Sequence, residues 1–178
     1  MTARVLIRPP LITDQAAFLA AMRESRELHG EWIQMPATPE EFAVYLRRAA
    51  DPAVERFLAC RVTDGAIVGF LNLSEIIRGK LQQAFLGYGA VAGFEGQGYM
   101  AEAMDLVLER AFGPIGLHRV EANIQPGNAA SIALARRAGF EKEGFSPEYL
   151  MIGGAWRDHE RWAIREDTWR AAQSAARR

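Results

Sequence analysis

The chain has 178 residues, 49% of them hydrophobic, which is enough for one globular domain with a substantial core. The 21 Lys and Arg residues nearly balance the 22 Asp and Glu residues, and this formal net charge of −1 argues against a general nucleic-acid-binding protein. The composition predicts neither a membrane span nor a secretory signal, and the single cysteine, Cys60, favours a reduced, cytoplasmic setting.

The first third of the chain predicts one strand followed by two helices. Thr38 is a good N-cap, and Glu41, three residues later, would complete a capping box around Pro39 at the first helical position. The predicted elements are a strand at 4–8, a helix from Thr13 or Asp14 to about His29, and a helix from Pro39 to about Ala50.

Three strands are predicted next, over 56–63, 66–77 and 81–91. Asp64-Gly65 is typical of a two-residue hairpin turn, and Arg78-Gly79 forms a second turn. Short turns join antiparallel neighbours, so these strands should form an antiparallel meander.

A glycine-rich turn, Glu95-Gly96-Gln97-Gly98-Tyr99-Met100, lies between the third of these strands and an amphipathic helix over 101–112. Glycine permits a tight turn and a close approach of the backbone to a ligand. The first amides of the helix lack intrahelical partners, and the helix dipole favours an anion there. The turn therefore predicts a phosphate or diphosphate site.

The remaining pattern predicts a strand over 118–124, a short helix from Asn128 or Ser131 to Gly139, and two strands over 140–152 and 155–164. A C-terminal tail or helix covers 168–178. The alternation of helices and strands predicts a single mixed α/β domain over 1–178.

These segments together resemble the GNAT N-acetyltransferases, which transfer an acetyl group from acetyl-coenzyme A to an amine. The resemblance lies in the glycine-rich turn, the strand 117–123, Asn128-Ala129-Ala130-Ser131 and Arg137-Ala138-Gly139-Phe140. Glu95 stands where the family usually has Gln or Arg, and Met100 stands where it has Gly or Ala. The resemblance implies an α/β fold with a mixed, mostly antiparallel central sheet, helices on both faces and splayed central strands.

A closer resemblance, over roughly 68–169, is to the ribosomal-protein alanine N-acetyltransferases. It is carried by Asn72-Leu73-Ser74, Leu86-Gly87-Tyr88, the segment 139–144, Tyr149-Leu150-Met151-Ile152 and Trp156-Arg157-Asp158-His159. It implies acetyl transfer from acetyl-CoA, without a metal, to a primary amine, foremost the α-amino group of a protein N-terminus such as that of a ribosomal protein.

Acetyl transfer to an amine requires a base for the amine proton and benefits from an acid for the departing thiolate. The resemblance implies Glu148 as the base, with Glu75 and Glu121 as alternatives. It implies Ser131 as the acid, with Tyr149 as its rival. A pair formed by His159 and Asp158 is disfavoured, because neighbours on a strand point to opposite faces.

The resemblance also implies which residues bind the two substrates. A backbone amide near Gly89, Ala90 or Val91 would stabilise the thioester oxygen. The predicted coenzyme-binding residues are Gly89, Ala90, Val91, Gly96, Gln97, Gly98, Tyr99, Met100, Asn128, Ser131 and Arg137. The predicted acceptor-binding residues are Trp32, Asn72, Ser74, Glu75 and Tyr88.

Two other functions remain open from the sequence. In the first, the acceptor is a small amine or an antibiotic. In the second, the chain is a non-catalytic acyl-CoA-binding module, since a fold does not fix a function. The departures at Glu95 and Met100 keep the second alternative open. The sequence leaves the oligomeric state undetermined, and a dimer is compatible with it.

Overall fold

A computed structural model describes residues 3–176, which form a seven-stranded sheet in the order β1-β2-β3-β4-β5-β7-β6. The strands are β1 (Val5–Arg8), β2 (Glu55–Arg61), β3 (Ile67–Ile77), β4 (Gln83–Ala90), β5 (Arg119–Ile124), β6 (Glu141–Ile152) and β7 (Ala155–Arg165). The helices are α1 (Gln15–Glu24), α2 (Arg26–His29), α3 (Pro39–Arg48), α4 (Tyr99–Phe112), α5 (Ala129–Arg137) and α6 (Glu166–Ala176). The predicted order of elements is confirmed, and residues 177–178 of the predicted tail lie outside the described part.

The two central strands, β4 and β5, separate along their length. They are the parallel pair of the sheet, and their register covers only residues 83–85 against 119–121. Beyond Phe85 and Glu121 the strands diverge, and β4 continues paired with β3 alone. The predicted splay is therefore confirmed, and it leaves a gap in which backbone amides of β4 face no neighbouring strand.

Hydrophobic cores lie on both faces of the sheet. On one face, α4, α5 and α6 cover a core that includes Leu71. On the other, α1 and α3 cover Phe70, and the rings of the fully buried Phe18 and Phe42 pack there at a tilt, with centroids 5.0 Å apart. Leu71 and Phe70 enter opposite cores because successive side chains of a strand alternate between faces.

The predicted helix from Asp14 to His29 is wrong in two respects. Asp14 does not cap it, because the Asp14 carboxylate binds the Arg8 guanidinium at 2.7 Å and the Leu11 amide at 2.7 Å. The helix also breaks at Ser25, whose hydroxyl donates to the Ala21 carbonyl and accepts from the amide of Ala92. This break ties the end of α1 to the residues that follow β4.

Two local predictions need smaller corrections. Thr38 caps α3 by accepting from the Glu41 amide at 3.2 Å, but the Glu41 carboxylate accepts from Ala37 rather than from Thr38. The β2–β3 connection spans 62–66 instead of two residues, because the Arg61 amide donates to the Ala66 carbonyl and the Arg61 side chain binds Asp64. Neither correction changes the predicted order or direction of the helices and strands.

Cys60 is buried at 2% exposure in the core beneath α1 and α3, as a structural thiol would be. Within residues 3–176 the longest helix, α4, falls short of a membrane span, and none of the helices is apolar enough to form one.

Candidate active site

The end of β4 presents free backbone amides to the gap. The Val91 amide donates to the Val68 carbonyl at 3.0 Å, so alternation along an antiparallel pair directs the Gly89 amide toward β3 as well. The amides of Tyr88 and Ala90 then point away from β3. The Ala90 carbonyl accepts from Nε2 of His29 at 2.8 Å. Of the three candidate oxyanion donors, Gly89, Ala90 and Val91, only Ala90 has an amide that points away from β3.

The absence of a side chain at Gly89 is explained by packing. A Cβ atom there would lie 2.6 Å from the Phe70 ring and 3.0 Å from Ile33. These distances are far below van der Waals contact. Gly89 therefore makes room for Phe70 and Ile33.

The glycine-rich turn before α4 has backbone conformations that suit an anion-binding site. Gly93, Gly96 and Gly98 have φ values of 84°, 72° and 85°, in the left-handed region that glycine adopts without strain. Gly98 is the N-cap of α4, and the first helical hydrogen bond runs from the Glu102 amide to the Gly98 carbonyl. The amides of residues 99–101 consequently have no partner within the helix and point out of its N-terminus.

The side chains of Gln97, Tyr99 and Met100 in this turn make contacts within the protein. The Gln97 amide group donates to the Gly93 carbonyl at 2.6 Å, and the Tyr99 ring packs edge-on against Phe94 at 6.0 Å. Met100 is buried at 9% exposure over Gly69, where a Cβ atom would lie only 2.2 Å from its sulfur. The departure from the usual Gly or Ala at this position is therefore accommodated by a glycine on β3.

Beside this turn lies a cleft of about 310 Å³, which we call the coenzyme cleft. Most of its wall is apolar, and Glu95 and Arg137 bring opposite charges to it. Of the predicted coenzyme-binding residues, Gly89, Ala90, Gly96, Gly98, Met100, Asn128, Ser131 and Arg137 line it. Val91, Gln97 and Tyr99 are not part of its wall. Residues that the sequence did not suggest also line it: Leu28, His29, Ile33, Phe94, Ala101, Ala130 and Leu134.

A second cleft, of about 430 Å³, lies on the other side of the gap, and we call it the acceptor cleft. Trp32, Asn72 and Tyr88 line it as predicted. Ser74 and Glu75 do not reach its wall, because they lie further along β3, where the pairing with β4 becomes irregular and Glu75 adopts a left-handed φ of 50°. Unpredicted lining residues include Ile33, Phe70, Asn123, Gln125, Leu150, Met151, Ile152 and His159.

The two clefts meet at four shared residues, Ile33, Tyr88, Asn128 and Ser131. The Ser131 hydroxyl donates to the Tyr88 hydroxyl at 2.8 Å, and the Tyr88 hydroxyl donates to the Ser131 carbonyl at 3.1 Å. Asn128 caps α5 by accepting from the Ser131 amide at 3.0 Å, which fixes the serine in place. Burial raises the pKa of Tyr88 to about 12, so its phenol stays protonated at neutral pH.

The predicted bases lie outside the acceptor cleft. Glu148 is exposed on an irregular segment of β6, with a left-handed φ of 46°, and its amide donates to the Asp158 carboxylate at 2.9 Å. The Tyr149 ring packs against His159 with centroids 6.1 Å apart. Glu121 forms an ion pair with Arg119 at 2.8 Å. Glu148 and Tyr149 stay predictions drawn from the resemblance.

His159 is the titratable residue of the acceptor cleft that sequence reasoning set aside. It is 2% exposed and lies on the cleft wall, although its neighbour Asp158 points elsewhere. Burial is the main cause that lowers its pKa. A single buried histidine in a strand looks the same in sequence whether it packs in a core or faces a cleft, so no local signal would have found it.

The open gap between the parallel central strands joins a cleft at a helix N-terminus, which suits an anionic group, to a second cleft across it. The family model described as "Acetyltransferase (GNAT) domain" matches residues 4–141. The chain belongs to the GNAT acetyltransferase family, and it is an N-acetyltransferase.

Comparisons with individual proteins agree with this assignment. The chain is 32% identical over 168 residues to the probable N-acetyltransferase YjcK of Bacillus subtilis strain 168, covering 90% of this chain and 93% of that one. It is 38% identical over 103 residues to the ribosomal protein uS5-alanine N-acetyltransferase of Escherichia coli K12, covering 58% of this chain and 53% of that one. Among solved structures, Mycobacterium smegmatis RimJ in complex with CoA-disulfide superposes with a TM-score of 0.86 at 27% identity, covering 98% of this chain and 90% of that one.

Proposed function

We propose that this N-acetyltransferase transfers the acetyl group of acetyl-CoA to the α-amino group of a protein N-terminus, with a ribosomal protein as the first candidate. The observation that carries the proposal is the chemistry of the acceptor cleft. Its lining among the described residues includes polar amides, hydroxyls and one histidine, but no Asp, Glu, Lys or Arg.

An uncharged cleft discriminates between classes of amine. A polyamine carries several cations, which a binding site would pair with carboxylates, and a free amino acid carries a carboxylate, which a site would pair with Arg or Lys. A peptide N-terminus has one amine followed by neutral amide groups. Its α-amino pKa of about 8, against about 10.4 for a lysine side chain, also makes the neutral form easier to reach.

The coenzyme cleft fits acetyl-CoA through backbone groups. The amides at the N-terminus of α4 suit its diphosphate, and the free Ala90 amide suits the carbonyl of its acetyl thioester, which supplies the group to be transferred. Arg137 adds a positive charge, while the Glu95 carboxylate opposes it. CoA in the related RimJ structure supports this assignment.

The acid of the reaction is assigned to Ser131, because it lies on the wall shared by the two clefts. Its hydroxyl donates to the Tyr88 hydroxyl, and once Ser131 has given its proton to the departing thiolate this hydrogen bond reverses and the phenol supplies a proton to Ser131. Glu148 is the base that the resemblance implies, two residues before Leu150 on the cleft wall.

The test measures binding first and transfer second. Calorimetry with acetyl-CoA should give a saturable isotherm with the purified protein. The protein is then mixed with acetyl-CoA and each member of a panel, and free coenzyme thiol is followed with a thiol reagent. The panel contains hexapeptides beginning with Ala, Ser or Thr, the Ala hexapeptide with a blocked N-terminus, spermidine and free methionine.

We expect transfer to the α-amino group of the Ala peptide, located by fragmentation mass spectrometry, and none to its blocked counterpart. Turnover with spermidine or methionine but not with peptides would replace the proposal with the small-amine alternative. Coenzyme binding without any turnover across the panel would favour the non-catalytic module.

A further inference from the structure

We infer that His159 is the catalytic base that takes the proton of the acceptor amine, an inference that rests on the proposed transfer to an amine. It assigns the role to a residue on the wall of the acceptor cleft, whereas Glu148 is exposed on the neighbouring strand.

The tautomer of His159 follows from one contact. Its Nδ1 lies 2.9 Å from the carbonyl oxygen of Arg157, and a carbonyl only accepts hydrogen bonds, so Nδ1 carries the proton. In the neutral ring the lone pair then resides on Nε2. The backbone of β7 thus holds the ring in the form in which its second nitrogen is a proton acceptor.

The sheet register brings a second acceptor atom to the same side. Asn123 on β5 pairs with Arg161 on β7, and His159 lies two residues before Arg161, so Asn123 and His159 share a face of the sheet. Both line the acceptor cleft. The side-chain oxygen of Asn123 is buried and has no hydrogen-bond partner among the described residues. An amine has N–H groups to donate to both Asn123 Oδ1 and His159 Nε2.

A distortion of β6 presses Tyr149 against His159. Ser146 pairs with His159 and Leu150 with Arg157, so residues 147–149 lie opposite the single residue Asp158. The Glu148 amide closes this bulge by donating to the Asp158 carboxylate. Left-handed backbone at a non-glycine residue costs free energy and is retained where the surrounding structure requires it. Here it places the Tyr149 ring edge-on to the imidazole.

The charged and titratable groups around His159 are few. Tyr149 packs on it from β6, Asp158 adjoins it on β7, and Arg157 next along β7 pairs with Glu31 at the rim. Desolvation lowers the pKa of His159 more than the Arg157 carbonyl and Asp158 raise it. The imidazole is therefore neutral at pH 7, as a base must be before it acts.

The ammonium form of the bound amine gives one proton to His159 Nε2, and the neutral nitrogen then forms a bond to the acetyl carbon and loses its second proton to solvent. The carbon–sulfur bond then breaks, and the thiolate takes a proton from the Ser131 hydroxyl, which regains one from solvent through Tyr88. His159 finally releases its proton to solvent. The products are an N-acetylated amine and free coenzyme A.

The first experiment compares His159→Asn with His118→Asn and Glu148→Gln. Asparagine keeps an N–H close to the position of Nδ1 for the Arg157 carbonyl and removes Nε2. His118 is exposed at the start of β5 and serves as the matched control. We measure kcat and KM with acetyl-CoA and the Ala peptide from pH 6 to 9, and coenzyme affinity by calorimetry.

For His159→Asn we expect kcat at pH 7 to fall about 100-fold, in the range typical of a lost general base, with coenzyme affinity within twofold of wild type. The deficit should shrink toward pH 9, where the amine loses its proton without help. A change in kcat below threefold, an equal loss at every pH, or a loss confined to Glu148→Gln would overturn the inference.

A second measurement on the wild-type chain does not depend on how the variant folds. The chain has only 3 histidines, so ¹⁵N-labelled imidazoles can be assigned by substituting His118 and His29 in turn. We expect the neutral Nδ1–H tautomer for His159 at pH 7 and a shift of Nε2 when coenzyme A and the Ala peptide are added. An Nε2–H tautomer, or no shift at saturating peptide, would contradict the inference. Absence of transfer to every panel member would instead refute the proposed function.

Discussion

The hydroxyl of Ser131 on α5 lies 2.8 Å from the hydroxyl of Tyr88 on β4, and this contact joins the two clefts across the gap between the central strands. Each hydroxyl has a defined acceptor, because Tyr88 donates in turn to the Ser131 carbonyl. When Ser131 turns its O–H toward a thiolate in the gap, its oxygen is free to accept a proton from Tyr88.

Removal of either hydroxyl should slow acetyl transfer. We expect Ser131→Ala to lower kcat with the Ala peptide by roughly 10- to 100-fold, because the thiolate then departs without a nearby acid. Tyr88→Phe should cause a smaller loss, and the double variant should be no slower than Ser131→Ala, since the two groups act as a unit. Ser174→Ala, an exposed serine on α6, is the control and should match wild type. Additive losses would show that the hydroxyls act independently.

The Glu95 carboxylate should weaken coenzyme binding. It lines the coenzyme cleft near the N-terminus of α4, where a diphosphate would lie, and like charges repel. We expect Glu95→Gln to lower the Kd for coenzyme A by about two- to fivefold at low salt, and the gain to shrink at higher ionic strength. Glu109→Gln, at the far end of α4, should leave the Kd unchanged. An unchanged Kd for Glu95→Gln would mean that the carboxylate points away from the phosphates.

Trp32 should be sensitive to a methyl group at Gly127. A Cβ atom there would lie 3.0 Å from the Trp32 ring, which lines the acceptor cleft. We expect Gly127→Ala to displace the ring and to raise KM for the Ala peptide about tenfold, equivalent to roughly 1.4 kcal/mol. The Kd for coenzyme A is the internal control, since Trp32 is not part of the coenzyme cleft wall. Equal changes in both constants would point to a wider disturbance of the fold.

The ion pair between Arg8 and Asp14 should make stability depend on pH. The Arg8 guanidinium, followed by the Leu11 amide, holds the pKa of Asp14 below its ordinary value against the opposing effect of burial. A lowered carboxyl pKa contributes stability above the unfolded pKa of about 3.9, and that stability is lost as the pH falls toward the folded value. We expect Asp14→Asn to lower the free energy of unfolding at pH 7 by about 1–2 kcal/mol. Denaturant titrations should show the difference closing below about pH 3.

Local chemistry made the coenzyme side of the site predictable. The glycines before α4 adopt the left-handed backbone that only glycine adopts cheaply, and Asn128 caps α5 through a contact three residues away. Both features depend on residues close in sequence. Residues close in sequence therefore sufficed to predict the glycine turn before α4 and the start of α5 at Asn128.

The acceptor side was predictable only in part. Trp32, Asn72 and Tyr88 reach its cleft, but Ser74 and Glu75 lie further along β3, at the point where its pairing with β4 becomes irregular. The alternation of side chains along a strand correctly predicted that His159 and Asp158 lie on opposite faces of β7. It could not predict which of the two faces borders a cleft. That depends on which strand lies beside β7 and in which register.

The amino-acid sequence by itself determined the order of elements, the glycine turn before α4 and the family to which this chain belongs, since turns, caps and alternation are properties of short segments. Only the tertiary structure decided that Tyr88 bonds Ser131, that the Ala90 amide is free, and that Asn123 and His159 face one cleft. The physical reason is that strand order, strand separation and the β6 bulge bring together residues far apart in the chain, and no short segment encodes those distances.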